Sequence, residues 1–100
     1  MPAQPLAAFE SLIGQTVTIE GRVLSSGESR SGQTRYLNFA NRPGVAISLA
    51  FRTSEADHLF PLSRLQSLHG QVIRATGKVT EVHGSLLVFI SHESDLQIVP

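Results

Sequence analysis

Cysteine and tryptophan are absent from this chain, and charged side chains are few. The lack of cysteine excludes disulfides and thiolate metal ligands, and it leaves the redox compartment open. Eight Lys and Arg residues balance eight Asp and Glu residues. No overall charge therefore draws the chain to nucleic acid or to an acidic membrane, and any basic binding site must be a local cluster.

Long hydrophobic runs are also absent, and no segment reaches the length of a membrane-spanning helix. The first residues, MPAQPLAAFES, lack the charged start and apolar centre of a signal peptide, so we expect a cytoplasmic protein. The 100 residues, 41% of them apolar, suffice for one domain with one core. We expect residues 1–13 to form a lead-in, frayed over residues 1–5, with a short helix, and residues 14–99 to form the domain.

Apolar and polar residues alternate along much of the chain, which is the pattern of half-buried strands. The spacing predicts a short helix over Leu6–Ile13, a loop over Ser25–Gln33 and a helical segment that ends at Gly70. The predicted strands cover residues 17–25, 35–40, 45–51, 71–82 and 85–90, with a short last strand over 96–99. The predicted order is β-β-β-α-β-β, preceded by the short helix.

One strand pattern occurs twice: LIGQTVTIEGRV, Leu12–Val23, and LHGQVIRATGKV, Leu68–Val79, are identical at five of twelve positions. A glycine weakens a strand unless it solves a geometric problem, and Gly21 and Gly77 occupy matching positions. Sharply bent strands are what the closure of a small barrel requires. We therefore expect an all-β fold, a closed five-stranded OB-fold barrel in which the first and fourth strands pair and the helix lies between strands three and four. Chance similarity between two valine-rich strands is the alternative.

The same alternation predicts the core. Leu65 and Leu68 are expected to close one end of the barrel. Leu87 and Phe89 are ambiguous because SLLVFI is apolar on both faces: the N-terminal helix covers them, or they form an exposed apolar patch. The other residues predicted to be buried are Val17, Ile19, Val23, Leu37, Phe39, Val45, Ile47, Leu49, Ile73, Val79, Val88 and Ile90.

Three segments resemble a known family. SGQTRYLNF at Ser31–Phe39, LHGQVIRATGKV and the closing SHESDLQIV are similar to segments of bacterial nucleic-acid-binding OB-fold domains of the anticodon-binding-like type. The resemblance covers Leu12 to Val99. It implies an OB-fold and a nucleic-acid ligand, although one fold hosts many ligands.

The ligand face of an OB-fold is formed by strands two and three and by the loops at their rim. Binding of a single strand needs aromatic rings that stack on bases and cations that contact phosphates. Tyr36 is predicted to point outward and stack on a base, and Asn38 beside it to hydrogen-bond a base. The predicted nucleic-acid-binding residues are Arg30, Arg35, Tyr36, Asn38, Arg42, Ser48, Arg52 and His83.

Each of these assignments has a plainer alternative. Tyr36 can instead anchor the rim of the barrel. The arginines, which with Arg22 make five of the chain's eight basic residues, can be ordinary surface side chains. Arg74 and Lys78 either extend the same basic track or are solvated. One set of small outward residues forms either a floor for a ligand or a flat surface under a helix or partner: Ala46, Ser48 and Ala50.

No catalytic motif is visible in the sequence. Four histidines are scattered, without a ligand-like partner four residues away: His58, His69, His83 and His92. SGESRSG has no lysine and no following helix, so it is not a phosphate-binding P-loop, and no nucleophile elbow is present. We therefore expect no enzyme, no cofactor and no metal site.

These features favour a binding module for single-stranded DNA or RNA with low sequence specificity, alone or as a domain of a larger chain. The alternative is a protein-interaction or assembly module that binds no nucleic acid. Neither reading involves a membrane.

Overall fold

The computed structural model describes residues 1–42, 44–56 and 59–100. The described chain is mostly β-structure with little helix, as predicted. Its strands are β1 Thr16–Arg22, β2 Ser25–Glu28, β3 Thr34–Asn38, β4 Ser48–Arg52, β5 Val72–Val82, β6 Ser85–Phe89 and β7 Leu96–Val99. Its helices are α1 Thr53–Ala56 and α2 Leu62–Gln66, with 3₁₀ helices over Leu6–Leu12 and Glu93–Asp95. Residues 57 and 58 of the predicted helical segment lie outside the described residues.

The strands form one mixed sheet in the order β1-β5-β6-β4-β3-β2, and β7 pairs with the first part of β5. The pairing of the first and fourth predicted strands, now β1 and β5, is confirmed. The closed barrel of five strands is not confirmed, because the described residues form an open sheet of seven strands.

The predicted first strand divides at Val23, which explains the extra strand. Val23 N–H donates to the Gln71 carbonyl at 2.9 Å, and Leu24 N–H donates to the Asn38 carbonyl at 2.8 Å. Val23 therefore bonds beside β5, the neighbour of β1. Leu24 bonds to β3, the neighbour of β2, and β1 and β2 are the first and last strands of the order. The chain changes strand partner at this point instead of continuing as one strand.

The repeated sequence pattern corresponds to an internal two-fold relationship between antiparallel β1 and β5. Gly14 N–H donates to the Val79 carbonyl at 2.7 Å, and its counterpart Gly70 N–H donates to the Val23 carbonyl at 2.8 Å. Both glycines have positive φ, 88° and 85°, which residues with a side chain rarely adopt. The repeat thus encodes the same turn and strand twice, once on each side of a local two-fold axis.

Gly21 and Gly77 are positions of close approach. A Cβ atom at Gly77 would overlap the backbone carbonyl oxygen of Phe89 and lie 2.8 Å from Val88 Cγ1. A Cβ atom at Gly21 would lie 2.9 Å from the ring of Phe39. Both glycines therefore permit tight packing between neighbouring segments.

The buried core contains most of the predicted residues. Ten of the twelve strand residues are buried, whereas Val17 and Val45 are only half-buried at its margin. Leu65 and Leu68, from α2 and the turn after it, are buried as predicted.

Two further aromatic residues of the core were not predicted. Phe9 of the N-terminal 3₁₀ helix and Phe60 before α2 are both fully buried. The Phe60 ring lies 4.8 Å from the Phe51 ring, between centroids, in a tilted arrangement. Both residues lie outside the strands, so the alternation of strand residues could not reveal their burial.

Residues 1–5 belong to the fold instead of forming a frayed lead-in. Ala3 N–H donates to the Glu20 carbonyl at 3.1 Å, and the Ala3 carbonyl accepts from Ile47 N–H at 3.0 Å. The segment thus lies between β1 and the residues that precede β4. This pairing is also why β4 begins only at Ser48, three residues after the predicted start.

The predicted loop over residues 25–33 contains β2. Ser25–Glu28 pairs antiparallel with Arg35–Asn38, and residues 29–33 join the two strands. Serine and glycine have low strand propensity, so the sequence pattern hid this strand. Hairpin pairing with β3 supplies the backbone hydrogen bonds that propensity does not predict.

Candidate nucleic-acid interface

A cleft of about 780 Å³ opens on the outward face of β3 and β4. Its rim includes the β5–β6 turn at His83 and Gly84, and Leu6 and Leu87 add apolar surface. Five of the eight predicted site residues line it: Tyr36, Asn38, Arg42, Ser48 and His83.

Three neighbouring strands place a polar ladder on the floor of the cleft. Asn38 Nδ2 donates to Ser25 Oγ at 3.1 Å, and Ser48 Oγ donates to Asn38 Oδ1 at 2.9 Å. Since the two serines lie on the strands flanking β3, both hydrogen bonds run sideways along the sheet and hold the Asn38 amide. One amide N–H and one lone pair of its oxygen remain, so the floor offers a ligand both a donor and an acceptor.

Tyr36 stands half-buried on the same face as Asn38, two residues along β3. Ala50 lies directly opposite Tyr36 on β4, and Phe89 lies opposite Ala50 on β6. Neighbouring strands are about 4.8 Å apart, so the two aromatic side chains stand on one row about 10 Å apart. Ala50 between them is fully buried, and the predicted floor of three small residues is therefore reduced to the half-buried Ala46 and Ser48.

The two outward residues of β6, which the sequence predicted to be either covered or exposed, differ from each other: Leu87 is covered and Phe89 is partly exposed. Leu87 is 8% exposed and lines the cleft beside Leu6 of the N-terminal 3₁₀ helix. Phe89 remains half-exposed, and the Arg52 guanidinium lies over its ring at 4.0 Å from the centroid. Sequence reasoning did not include Phe89 in the site, although its alternation with Val88 and Ile90 was a usable signal.

Basic side chains lie at both ends of this face. Arg42 and His83 line the cleft at one end, and Arg52 lies opposite Thr34 at the other. Arg30 is exposed in the turn between β2 and β3. Within the described residues, none of these three arginines forms an ion pair with a carboxylate.

Arg35 does not lie on this face, contrary to the prediction of one common channel. Its Nε donates to Glu28 Oε2 at 3.1 Å, and its Nη1 donates to the Phe60 carbonyl at 3.2 Å. Successive strand residues point to opposite faces, so Arg35 and its neighbour Tyr36 are directed apart. Arg35 joins β3 to β2 and to the segment before α2.

Two other basic residues are held by carboxylates away from the cleft. Arg74 Nη2 lies 2.9 Å from Glu20 Oε1. Arg64 donates two hydrogen bonds to the Glu93 carboxylate, at 2.8 and 2.5 Å. These hydrogen bonds lower the pKa of Glu93 and raise the pKa of Arg64.

Among residues 1–42, 44–56 and 59–100, no group of three or more His, Asp or Glu side chains is placed to hold a metal ion. His58 lies outside the described residues. No described helix has the length and apolarity needed to cross a membrane.

The arrangement of strands in this chain is similar to that of several solved structures. OBody AM1L10 bound to hen egg-white lysozyme matches with a TM-score of 0.64 and 26% identity over 89% of this chain and 83% of that one. The chain has an OB-fold. The aspartyl-tRNA synthetase of Entamoeba histolytica matches with a TM-score of 0.67 and 14% identity over 95% of this chain, but only 20% of the synthetase. The S. pombe Stn1–Ten1 complex matches at 0.61 and 14% identity over 84% of this chain and 57% of that one.

No protein-family model matches the OB-fold chain. No curated protein matches it either. The matches to solved structures confirm the predicted OB-fold. The bacterial origin that the resemblance implied stays a prediction.

Proposed function

We propose that this OB-fold chain is a non-catalytic module that binds single-stranded DNA or RNA, with little sequence preference, in the cleft along β3. We also propose a bacterial, cytoplasmic setting, as the sequence implied. The proposal is carried by the order of groups on one face. Cations lie at its two ends, and Tyr36 and the held amide of Asn38 lie between them.

Single-strand binding combines cations that contact the backbone with aromatic rings that stack on bases. A tyrosine ring stacks on any base, because every base has a π-face, and this makes the contact tolerant of sequence. Arginines without carboxylate partners can take phosphates as counterions. The Asn38 amide adds one donor and one acceptor for a base edge.

The solved structures support the fold beneath this proposal. The name of the Entamoeba histolytica enzyme, an aspartyl-tRNA synthetase, states that it acts on tRNA. At 14% identity it supports an OB-fold alone. The functional argument therefore rests on the cleft.

A protein-interaction module is the second candidate. The match to OBody AM1L10, a protein bound to lysozyme, favours it, and so do the apolar side chains of Leu6 and Leu87 in the cleft. An apolar protein contact would respond weakly to salt, whereas phosphate contacts weaken steeply as salt rises.

The deciding experiment is a titration of the chain with fluorescent single-stranded DNA and RNA oligonucleotides at low and moderate salt. We expect binding that falls with salt, and a loss of about 1–3 kcal/mol of binding free energy in Tyr36→Ala. Tyr36→Phe keeps the ring and serves as the matched control, so its affinity should stay near that of the parent. Absence of binding at low salt, with Tyr36→Ala changing stability only, would favour the protein-interaction candidate.

A further inference from the structure

Beyond Tyr36, on the same outward face, two cations flank Phe89. The Arg52 guanidinium lies over the ring, and Lys78 lies directly opposite Phe89 in the register of β5 and β6. Arg52, Lys78 and Phe89 line one pocket, so both cations belong to one site. In the described part of the chain, neither has a carboxylate within ion-pair distance.

The same guanidinium–ring arrangement occurs at Arg64, with one difference. The Arg64 guanidinium lies 4.9 Å from the centroid of Phe60, and the Glu93 carboxylate completes the arrangement with two hydrogen bonds. At Arg52 the ring is present, but none of the carboxylates that the structure describes takes the position that Glu93 takes at Arg64. A second positive charge, Lys78, stands nearby instead.

The pocket around these cations, about 440 Å³ in volume, is rich in hydroxyl groups. Among the described residues one carboxylate lines it, Asp95, whose oxygen lies 3.4 Å from Nδ1 of His92. Its hydroxyl groups belong to Thr16, Thr76, Thr80 and Ser91. Two of these hydroxyls are engaged, because Thr80 Oγ1 donates to the Lys78 carbonyl at 3.4 Å and Thr76 Oγ1 lies 2.8 Å from Thr18 Oγ1. The described pocket therefore presents two cations and the hydroxyls of Thr16 and Ser91.

We infer that Arg52 and Lys78, placed on either side of Phe89, form a phosphate-binding site. The planar fork of a guanidinium matches two oxygens of a phosphate, and stacking on a ring holds the fork in place. The lysine ammonium adds a point charge, and the hydroxyls of Thr16 and Ser91 can donate to the remaining oxygens. The phosphate has one of two sources. It belongs to the backbone of a nucleic-acid strand in the cleft, a case that rests on the function proposed above, or to a free phosphate compound, a case that is independent of that function.

The first arm of the test is an NMR titration with inorganic phosphate, compared with chloride at equal ionic strength. We expect saturable shifts at the Arg52 side chain and at the amides of Lys78 and Phe89. Arg52→Gln and Lys78→Gln should each weaken this binding about tenfold, the loss of one charge-assisted hydrogen bond. Arg74→Gln is the matched control, since Arg74 is exposed on β5, the strand that carries Lys78, and is paired with Glu20. Shifts that do not saturate, or that change equally in all three variants, would overturn the inference.

The second arm measures how oligonucleotide affinity depends on salt. Each removed phosphate contact should reduce the slope of log affinity against log salt by about 0.7, so Arg52→Gln and Lys78→Gln should flatten it and Arg74→Gln should not. Phosphate binding without oligonucleotide binding would retain this site as one for free phosphate and reject the proposed function. Oligonucleotide binding with an unchanged slope in both variants, and no saturable phosphate shift, would retain the function and reject the site.

Discussion

At the scale of single residues, the contrast between two strand glycines gives a stability prediction. A Cβ at Gly77 would overlap the backbone of β6, which cannot move without breaking its pairing, whereas a Cβ at Gly27 meets nothing within 4 Å. We expect Gly77→Ala to lower the free energy of unfolding by about 1–3 kcal/mol, as overpacking does. Gly27→Ala should be neutral or slightly stabilising. Urea denaturation measures both, and equal stabilities would show that β6 adapts at no cost.

Residues also show where sequence reasoning stops. The outward placement of Tyr36 and Asn38 followed from strand alternation and was confirmed. The same alternation directs Arg35 to the opposite face, so the inclusion of Arg35 among the predicted site residues did not follow the strand pattern. The partners that hold Arg35 could not be predicted, because the Phe60 carbonyl is distant in sequence and is set by tertiary folding alone.

At the scale of elements, strands with strong alternation were predictable and strands defined by their partners were not. The repeated pattern located β1 and β5 and their pairing, because both copies carry the same turn glycine, the same mid-strand glycine and the same final valine. The strand β2 and the late start of β4 depend instead on hydrogen bonds to a hairpin partner and to residues 1–5. Local propensity contains no information about such partners.

The link between α2 and the second 3₁₀ helix should depend on pH. Arg64 holds the pKa of Glu93 below its ordinary value of 4.5, and the largest cause is hydrogen bonding from the guanidinium to the carboxylate. A lowered folded-state pKa gives stability that is present above the unfolded pKa and is lost as pH falls through the folded one. We therefore expect Glu93→Gln to be less stable than the parent at neutral pH, with the difference closing in acid.

Denaturant midpoints of the parent and of Glu93→Gln between neutral and acidic pH check this expectation. Glu81→Gln is a suitable control, because Glu81 is an exposed strand carboxylate without an ion pair among the described residues. A difference between Glu93→Gln and the parent that stays constant across this range would contradict the ion-pair explanation.

At the scale of the whole molecule, contacts cross the boundary predicted between residues 1–13 and 14–99. Phe9 is fully buried in the core, and the backbone of Ala3 bonds on both sides, to Glu20 and to Ile47. The cleft depends on this packing too, since Leu6 lines it. We therefore expect the first thirteen residues to unfold together with the sheet that carries the proposed interface.

Two adjacent substitutions test this unity. Ala3 is 2% exposed and Gln4 is exposed, so Ala3→Glu forces a carboxylate into the fold while Gln4→Glu adds the same group at the surface. We expect Ala3→Glu to lower the free energy of unfolding by about 1–3 kcal/mol, because a buried polar group without a partner keeps its desolvation cost. Gln4→Glu should stay within about 0.5 kcal/mol of the parent.

Unfolding should remain a single transition, because the segment and the sheet share one core. Equal stability of the two variants, or a separate early transition of the N-terminal segment, would mean that residues 1–5 contribute nothing to the folded unit.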